Sequence, residues 1–182
     1  MNKDQIESMK KSGKLKLSIW DLISHYLICF FLTIPLLVSL HNLIFYLTTN
    51  EYYYVRTPEE VLPGSLSFFA IGVLFYFWQR KKLDFFIFTT NLTNDSIQNI
   101  IDVTAKELEW ENVKNLKNFK VFKTHPNWSS GSWGEQITII IDKNRLMINS
   151  ICDPEKKASI VSFGRNKKNK RRFVELIRQA SS

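Results

Sequence analysis

The stretch LISHYLICFFLTIPLLVSLHNLIFYL (Leu22–Leu47) is followed, after a short loop, by LPGSLSFFAIGVLFYFW (Leu62–Trp78). Neither segment contains an Asp, Glu, Lys or Arg. At about 1.5 Å per residue the first makes a rod of roughly 39 Å, longer than the about 30 Å of a bilayer's hydrocarbon. It must tilt, kink at Pro35 or run on into the interface. The second segment, 17 residues long, lies near the lower limit for a crossing. Together they read as a two-helix transmembrane hairpin. Asp21, His25 and His41 fall towards the ends of the first span, where headgroups or water reach them, and the costly centre stays uncharged. Tyr76 and Trp78 with Arg80, Lys81 and Lys82 form one interfacial belt, and Tyr52, Tyr53 and Tyr54 the other. No G-x-x-x-G pair occurs, so the spans advertise no specific helix-pairing face.

Outward from the hairpin, charge sets the orientation. The whole chain of 182 residues has a formal net charge of +8. Residues 1–20 carry five Lys against Asp4 and Glu7, whereas the loop from Thr48 to Gly64 holds one Arg against three Glu. Arg80–Lys82 follow the second span directly. By the positive-inside rule both flanks are cytoplasmic and only the Tyr-rich loop lies outside. The apolar run is too long for a cleaved signal peptide and lacks a small-residue exit. The sequons at Asn91 and Asn127 then lie on the wrong side for glycosylation. Cys29 would sit in the first span and Cys152 in the soluble part, so the two cannot form an intramolecular disulfide.

The remainder reads as one small domain, residues 83–180, behind a basic N-terminal segment (1–20) and the hairpin (21–80). Leu83–Thr90 (LDFFIFTT) is a strand. Thr93 or Asn94 caps a helix whose apolar positions, Ile97, Ile100, Ile101, Thr104, Ala105 and Leu108, recur at helical spacing and end near Trp110. Asn118–Thr124 alternates as a strand, and His125–Gly134 is a loop. Gln136–Asp142 (QITIIID) and Leu146–Cys152 (LMINSIC) make a hairpin about a four-residue turn. Ala158–Phe163 reads as a further strand, and Gly164 onward as a basic helix with Phe173, Leu176 and Ile177 on one face. The expected fold class is a two-helix transmembrane hairpin followed by a small α+β domain of order β-α-β-β-β-β-α with a mainly antiparallel sheet. With only Arg80–Lys82 between span and strand, no flexible linker separates the domain from the membrane.

The segments SWGEQITIII, INSICDP and SFGRNKKN resemble a group of small two-span membrane proteins common in Bacteroidota. The resemblance covers the soluble domain best, roughly residues 83–178. It implies a bacterial inner-membrane setting and carries no established activity.

Three regions are candidate sites. Arg165, Asn166, Lys167, Lys168, Lys170, Arg171 and Arg172 crowd the start of the last helix, where backbone N–H groups favour anions. Anionic lipid headgroups lead the readings of such a run near a membrane, ahead of a plain solvated helix face and of a soluble phosphorylated ligand. Nucleic acid is disfavoured because aromatic residues are not interleaved with it. The loop residues Trp128, Ser129, Ser130, Ser132 and Trp133 have the composition of a partner- or ligand-binding loop. Cys152, His125 and Asp153 have the residue types of a thiol dyad with an orienting acid, but no catalytic motif surrounds them. Three scattered His and two distant Cys match no metal spacing, and no cofactor signature occurs. The sequence therefore leads to a non-enzymatic inner-membrane protein whose cytosolic domain binds a partner protein or an anionic ligand, with defence or immunity systems as the analogous setting. Two alternatives are a membrane-perturbing effector whose hairpin self-associates, and a membrane-tethered enzyme.

Overall fold

The structure, a computed structural model, describes residues 2–51, 56–126, 131–156 and 162–181. It divides into two compact units, His25–Lys81 and the combination of Met1–Ser24 with Lys82–Ser182. The elements are α1 (Lys3–Ser12), α2 (Ile19–Thr49), α3 (Pro58–Lys82), β1 (Phe86–Thr89), α4 (Asn94–Glu107), β2 (Glu111–Leu116), β3 (Phe119–Lys123), β4 (Glu135–Asp142), β5 (Arg145–Cys152) and α5 (Arg165–Ser181).

The first unit is an antiparallel pair of helices. Both α2, with 31 residues, and α3, with 25, are long and apolar enough to cross a membrane. Helix α3 thus reaches past its apolar stretch at either end, into charged residues. Helix α2 runs unbroken through Pro35; the Ser39 hydroxyl donates to the Pro35 carbonyl at 2.9 Å. Contacts step in opposite directions along the two helices. His25 Nε2 lies 3.0 Å from Gln79 O, the Tyr26 and Tyr76 rings are 5.3 Å apart, and Asn42 Nδ2 donates to Arg56 O at 3.3 Å.

The seam between them is small and polar. Ser65, Gly72 and Gln79, each seven residues from the next, are the buried positions of α3 after Pro58, and Ser39 and Asn42 those of α2. A Cβ at Gly72 would come within 3.2 Å of Leu32 Cβ, so glycine sets how closely the backbones approach. Meanwhile Phe30, Phe31, Leu37, Phe68, Ile71, Leu74 and Phe77 point outward. A water-soluble pair buries its large apolar side chains; this one presents them and buries its small and polar ones.

The second unit is α+β. Its five strands form one antiparallel sheet in the order β1-β5-β4-β3-β2. Helix α4 starts where expected, with the Thr93 hydroxyl accepting from Ser96 N–H. With α5 it covers one face, burying Ile97, Ile101, Phe173 and Ile177 against Ile137, Ile139, Ile148 and Phe122. The membership of the sheet differs from the sequence reading. Glu111–Leu116, read as no element, is edge strand β2, with a register shift between Asn112 and Lys114. The strand expected at Ala158–Phe163 falls mostly outside the described residues; Ser162 is in no regular element, and Phe163 and Gly164 form the turn into α5.

The larger difference is at the N-terminus, which belongs to this unit instead of standing apart. An Asn2–Gln5 capping box opens α1 and Gly13 closes it. Met9 is fully buried, Arg145 donates to Lys10 O at 3.1 Å, and Lys10 Nζ lies 3.5 Å from Asp142. The sheet's second face also buries Phe119, Ile140, Met147 and Ile151. Beyond α1 the N-terminal segment joins the stretch that leads into β1. Leu15 N–H donates to Leu83 O at 2.8 Å and Phe85 N–H to Gly13 O at 2.9 Å, and Lys14 pairs with Asp84. Buried Asn149 then fixes that stretch, donating to Lys82 O at 2.8 Å and Asp84 O at 2.9 Å.

This stitching constrains the chain's route. The residues before α2 and those after α3 are parts of one folded body, so the chain between them makes an even number of crossings: both apolar helices span a bilayer or neither does. Asn149→Ala removes two buried hydrogen bonds at this junction and is expected to destabilise the unit by about 1–3 kcal/mol, read as a lowered Tm of the full chain in detergent.

Candidate functional site

The three segments SWGE, INSICDP and SFGRN, far apart in sequence, meet at one end of the sheet. Their centre is Glu135, the first residue of β4 and wholly buried. Thr124 Oγ1 donates to its Oε2, Ser132 Oγ to its Oε1, and Arg165 Nε lies 3.3 Å from Oε2. Glu135 N–H donates to Thr124 Oγ1 at 2.8 Å, and Thr124 N–H to Glu135 O at 2.9 Å. Gly134 is required beside them: its φ is +119° and a Cβ would lie 2.4 Å from Thr124 O.

A second chain of bonds runs behind this carboxylate. Ser150 Oγ donates to Asn166 Oδ1 at 2.8 Å, Asn169 Nδ2 to Ser150 Oγ at 3.2 Å, and Trp110 Nε1 to Asn169 Oδ1 at 3.3 Å. On the flank, Lys123 Nζ lies 3.1 Å from buried Asp153. Burial opposes that ammonium, but hydrogen bonds to Glu155 and Asp153 outweigh it and hold the group above its ordinary value. These polar groups lock the loops at the sheet's end to the start of α5.

The thiol reading finds no machinery here. His125, exposed, pairs with Glu111 at 2.6 Å. Cys152 receives Asn166 Nδ2 at 3.9 Å, and burial above all pushes its thiol up, away from the thiolate. A nucleophilic cysteine needs the opposite shift. Iodoacetamide at pH 8 is therefore expected to alkylate Cys152 at least about tenfold more slowly in the folded chain than in urea, checked by mass spectrometry of quenched samples. Among the described residues no group of three His, Cys, Asp or Glu is placed to hold a metal.

Of the expected binding loop, Trp128, Ser129 and Ser130 lie outside the described residues. Ser132 faces inward to Glu135, and Trp133 is half exposed.

The basic run divides in two. Arg165 serves Glu135 and the His125 carbonyl, and Asn166 points inward to Ser150. Arg171 pairs with Glu175 at 2.7 Å and Arg172 with Glu107 at 2.8 Å. Lys167 and Lys168 are exposed, Lys170 is half-buried, and no acidic partner meets these three among the described residues. Desolvation lowers the Lys170 ammonium below its ordinary value. Half of the run is thus structural, and the surplus charge resides in three lysines. Sequence reasoning missed Glu135 and took Arg165 for a surface group; neither shows its partner locally.

Fold and site define a class: a two-helix hairpin of membrane-crossing length joined to a small α+β domain with a basic helix on its surface. Beyond the class no family can be given, because the chain matches no family model and no curated protein.

Proposed function

We propose that this is a non-enzymatic protein of the bacterial inner membrane, anchored by its hairpin with both termini cytoplasmic, whose α+β domain binds an anionic ligand or partner protein at the inner membrane surface. The observation that carries this is the inside-out hairpin: small and polar residues in the seam, Phe, Leu and Ile outward. Hydrocarbon is the solvent that suits such a surface. The even-crossing constraint and the Lys-rich flanks support the orientation. Lys167, Lys168 and Lys170, which meet no acid among the described residues, supply attraction for an anionic leaflet or an acidic partner, about 1 kcal/mol for each residue close to the surface.

The test uses the full chain in nanodiscs of phosphatidylcholine, mixed with free vesicles containing phosphatidylglycerol. Capture of the protein by the vesicles in flotation supports the reading. Lys167→Glu with Lys168→Glu should abolish that capture, and raised salt should weaken it. Failure of the unaltered protein to float at low salt contradicts surface binding of anionic lipid.

A further inference from the structure

The flank of α5 that faces β1 has a different chemistry from the helix start. Phe86, Lys167, Lys170, Arg171, Val174 and Arg178 line a groove of about 500 Å³, with Glu175 also on its lining. The positions of the basic residues follow from helical spacing, which sets 167, 170, 171, 174 and 178 along one stripe. Phe86 pairs with Ile148, whose side chain is in the core. Although it shares that face, Phe86 remains 45% exposed. Val174, itself a core residue only 7% exposed, lines the groove beside Phe86, which supplies most of its apolar surface.

The one acid on the rim is already engaged, with Arg171 at 2.7 Å and Arg172 at 3.9 Å. Among the described residues no carboxylate pairs with Lys167, Lys170 or Arg178, which line the groove beside its apolar residues. Lys170 is the informative member. Its ammonium is partly desolvated and meets no acid among the described residues, so an incoming anion would relieve a cost that the fold leaves standing.

We infer that this groove holds one molecule of an acidic phospholipid, its phosphate among Lys167, Lys170 and Arg178 and the upper part of an acyl chain on Phe86 and Val174. Inorganic phosphate has no use for the apolar residues, and a neutral lipid has none for the three cations. The groove's volume falls within the range of small-ligand sites, about 300–1,000 Å³, enough for a head and part of a chain but not for a folded partner. This inference rests on the proposed position of the domain at an anionic leaflet. It deepens that reading from general attraction to a site with one occupant.

The experiment is native mass spectrometry of the full chain released from nanodiscs of equal parts phosphatidylglycerol and phosphatidylcholine. One phosphatidylglycerol should remain bound in preference to phosphatidylcholine after the annular lipids are stripped. Lys170→Met, which keeps the unbranched apolar stem and removes a desolvated charge without threatening the fold, should lower that retention at least about fivefold. Phe86→Ser should do the same while leaving vesicle capture intact, and Lys168→Glu, outside the groove, should weaken capture while leaving the retained lipid in place. Retention unchanged by Lys170→Met and Phe86→Ser, or equal for the two lipids, overturns the site even if the vesicles still capture the protein. Displacement of the retained lipid by millimolar inorganic phosphate overturns the choice of a lipid.

Discussion

Ile71→Arg is expected to prevent α3 from crossing the membrane and, with it, to prevent the α+β unit from forming. Ile71 is 45% exposed in the hairpin, so in water the substitution would touch no core and change stability by no more than about 0.5 kcal/mol. In hydrocarbon the same arginine, at the middle of the helix, costs about 2.5–3.5 kcal/mol, which shifts insertion by roughly a hundredfold. The apolar stretch of α3 is only 17 residues long and has little reserve to set against that cost. A chain with α2 inserted and α3 not would leave Met1–Ser24 and Lys82–Ser182 on opposite sides, where Gly13–Leu15 cannot meet Leu83–Phe85. The expected result is loss of the full-length chain from carbonate-washed membranes, read by immunoblot. Wild-type levels would mean that the outward face of α3 does not meet lipid.

Arg165→Ala is expected to cost about 3–5 kcal/mol, because it leaves a buried carboxylate without its cation. The side chain of Glu135 is completely enclosed, whereas Arg165 is one quarter exposed, so the penalty falls on the acid. Thr124 and Ser132 still donate to it, but two hydroxyls supply no opposite charge. Glu135→Gln added to Arg165→Ala should recover much of the loss, since a neutral amide accepts from one hydroxyl, donates to the other and needs no counterion. That reversal is the signature of coupling, and thermal unfolding of the four proteins in one detergent measures it. Additive losses would mean that the pair does not act as a unit.

Different parts of this fold announce themselves to different degrees, for physical reasons. The hairpin is readable because hydrocarbon demands a continuous apolar run, and QITIIID with LMINSIC because strands buried on both faces are nearly all apolar. Strand β2, ENVKNL, is hidden because an edge strand with both faces in water has no alternation to show; its apolar Val113 and Leu116 are both exposed. The seam of the hairpin was present as Ser65, Gly72 and Gln79 at intervals of seven, a coiled-coil spacing that a search for G-x-x-x-G passes over. Helix α1 carried its signals, Asn2 with Gln5 at one end and Gly13 at the other. Its lysines read as a basic N-terminal segment outside the domain, and only the burial of Met9 and the contacts of Lys10 place it in the domain. In the basic run, local sequence sets the charges but not their partners. Glu135 and Glu107 reach Arg165 and Arg172 through the sheet and the α4–α5 pairing, which leaves Lys167, Lys168 and Lys170 as the members of that run with no acidic partner among the described residues.

The most direct measurement of the account is side-specific labelling of single cysteines. In a Cys29→Ala, Cys152→Ala background, Lys11→Cys, Glu51→Cys and Ser181→Cys place one thiol before the hairpin, one at its loop and one at the end of α5. A membrane-impermeant maleimide on intact spheroplasts should label only Glu51→Cys, with the other two reacting after permeabilisation. Labelling of Lys11→Cys or Ser181→Cys in intact cells, or protection of Glu51→Cys there, would contradict a hairpin that crosses twice and returns the chain to the side it left.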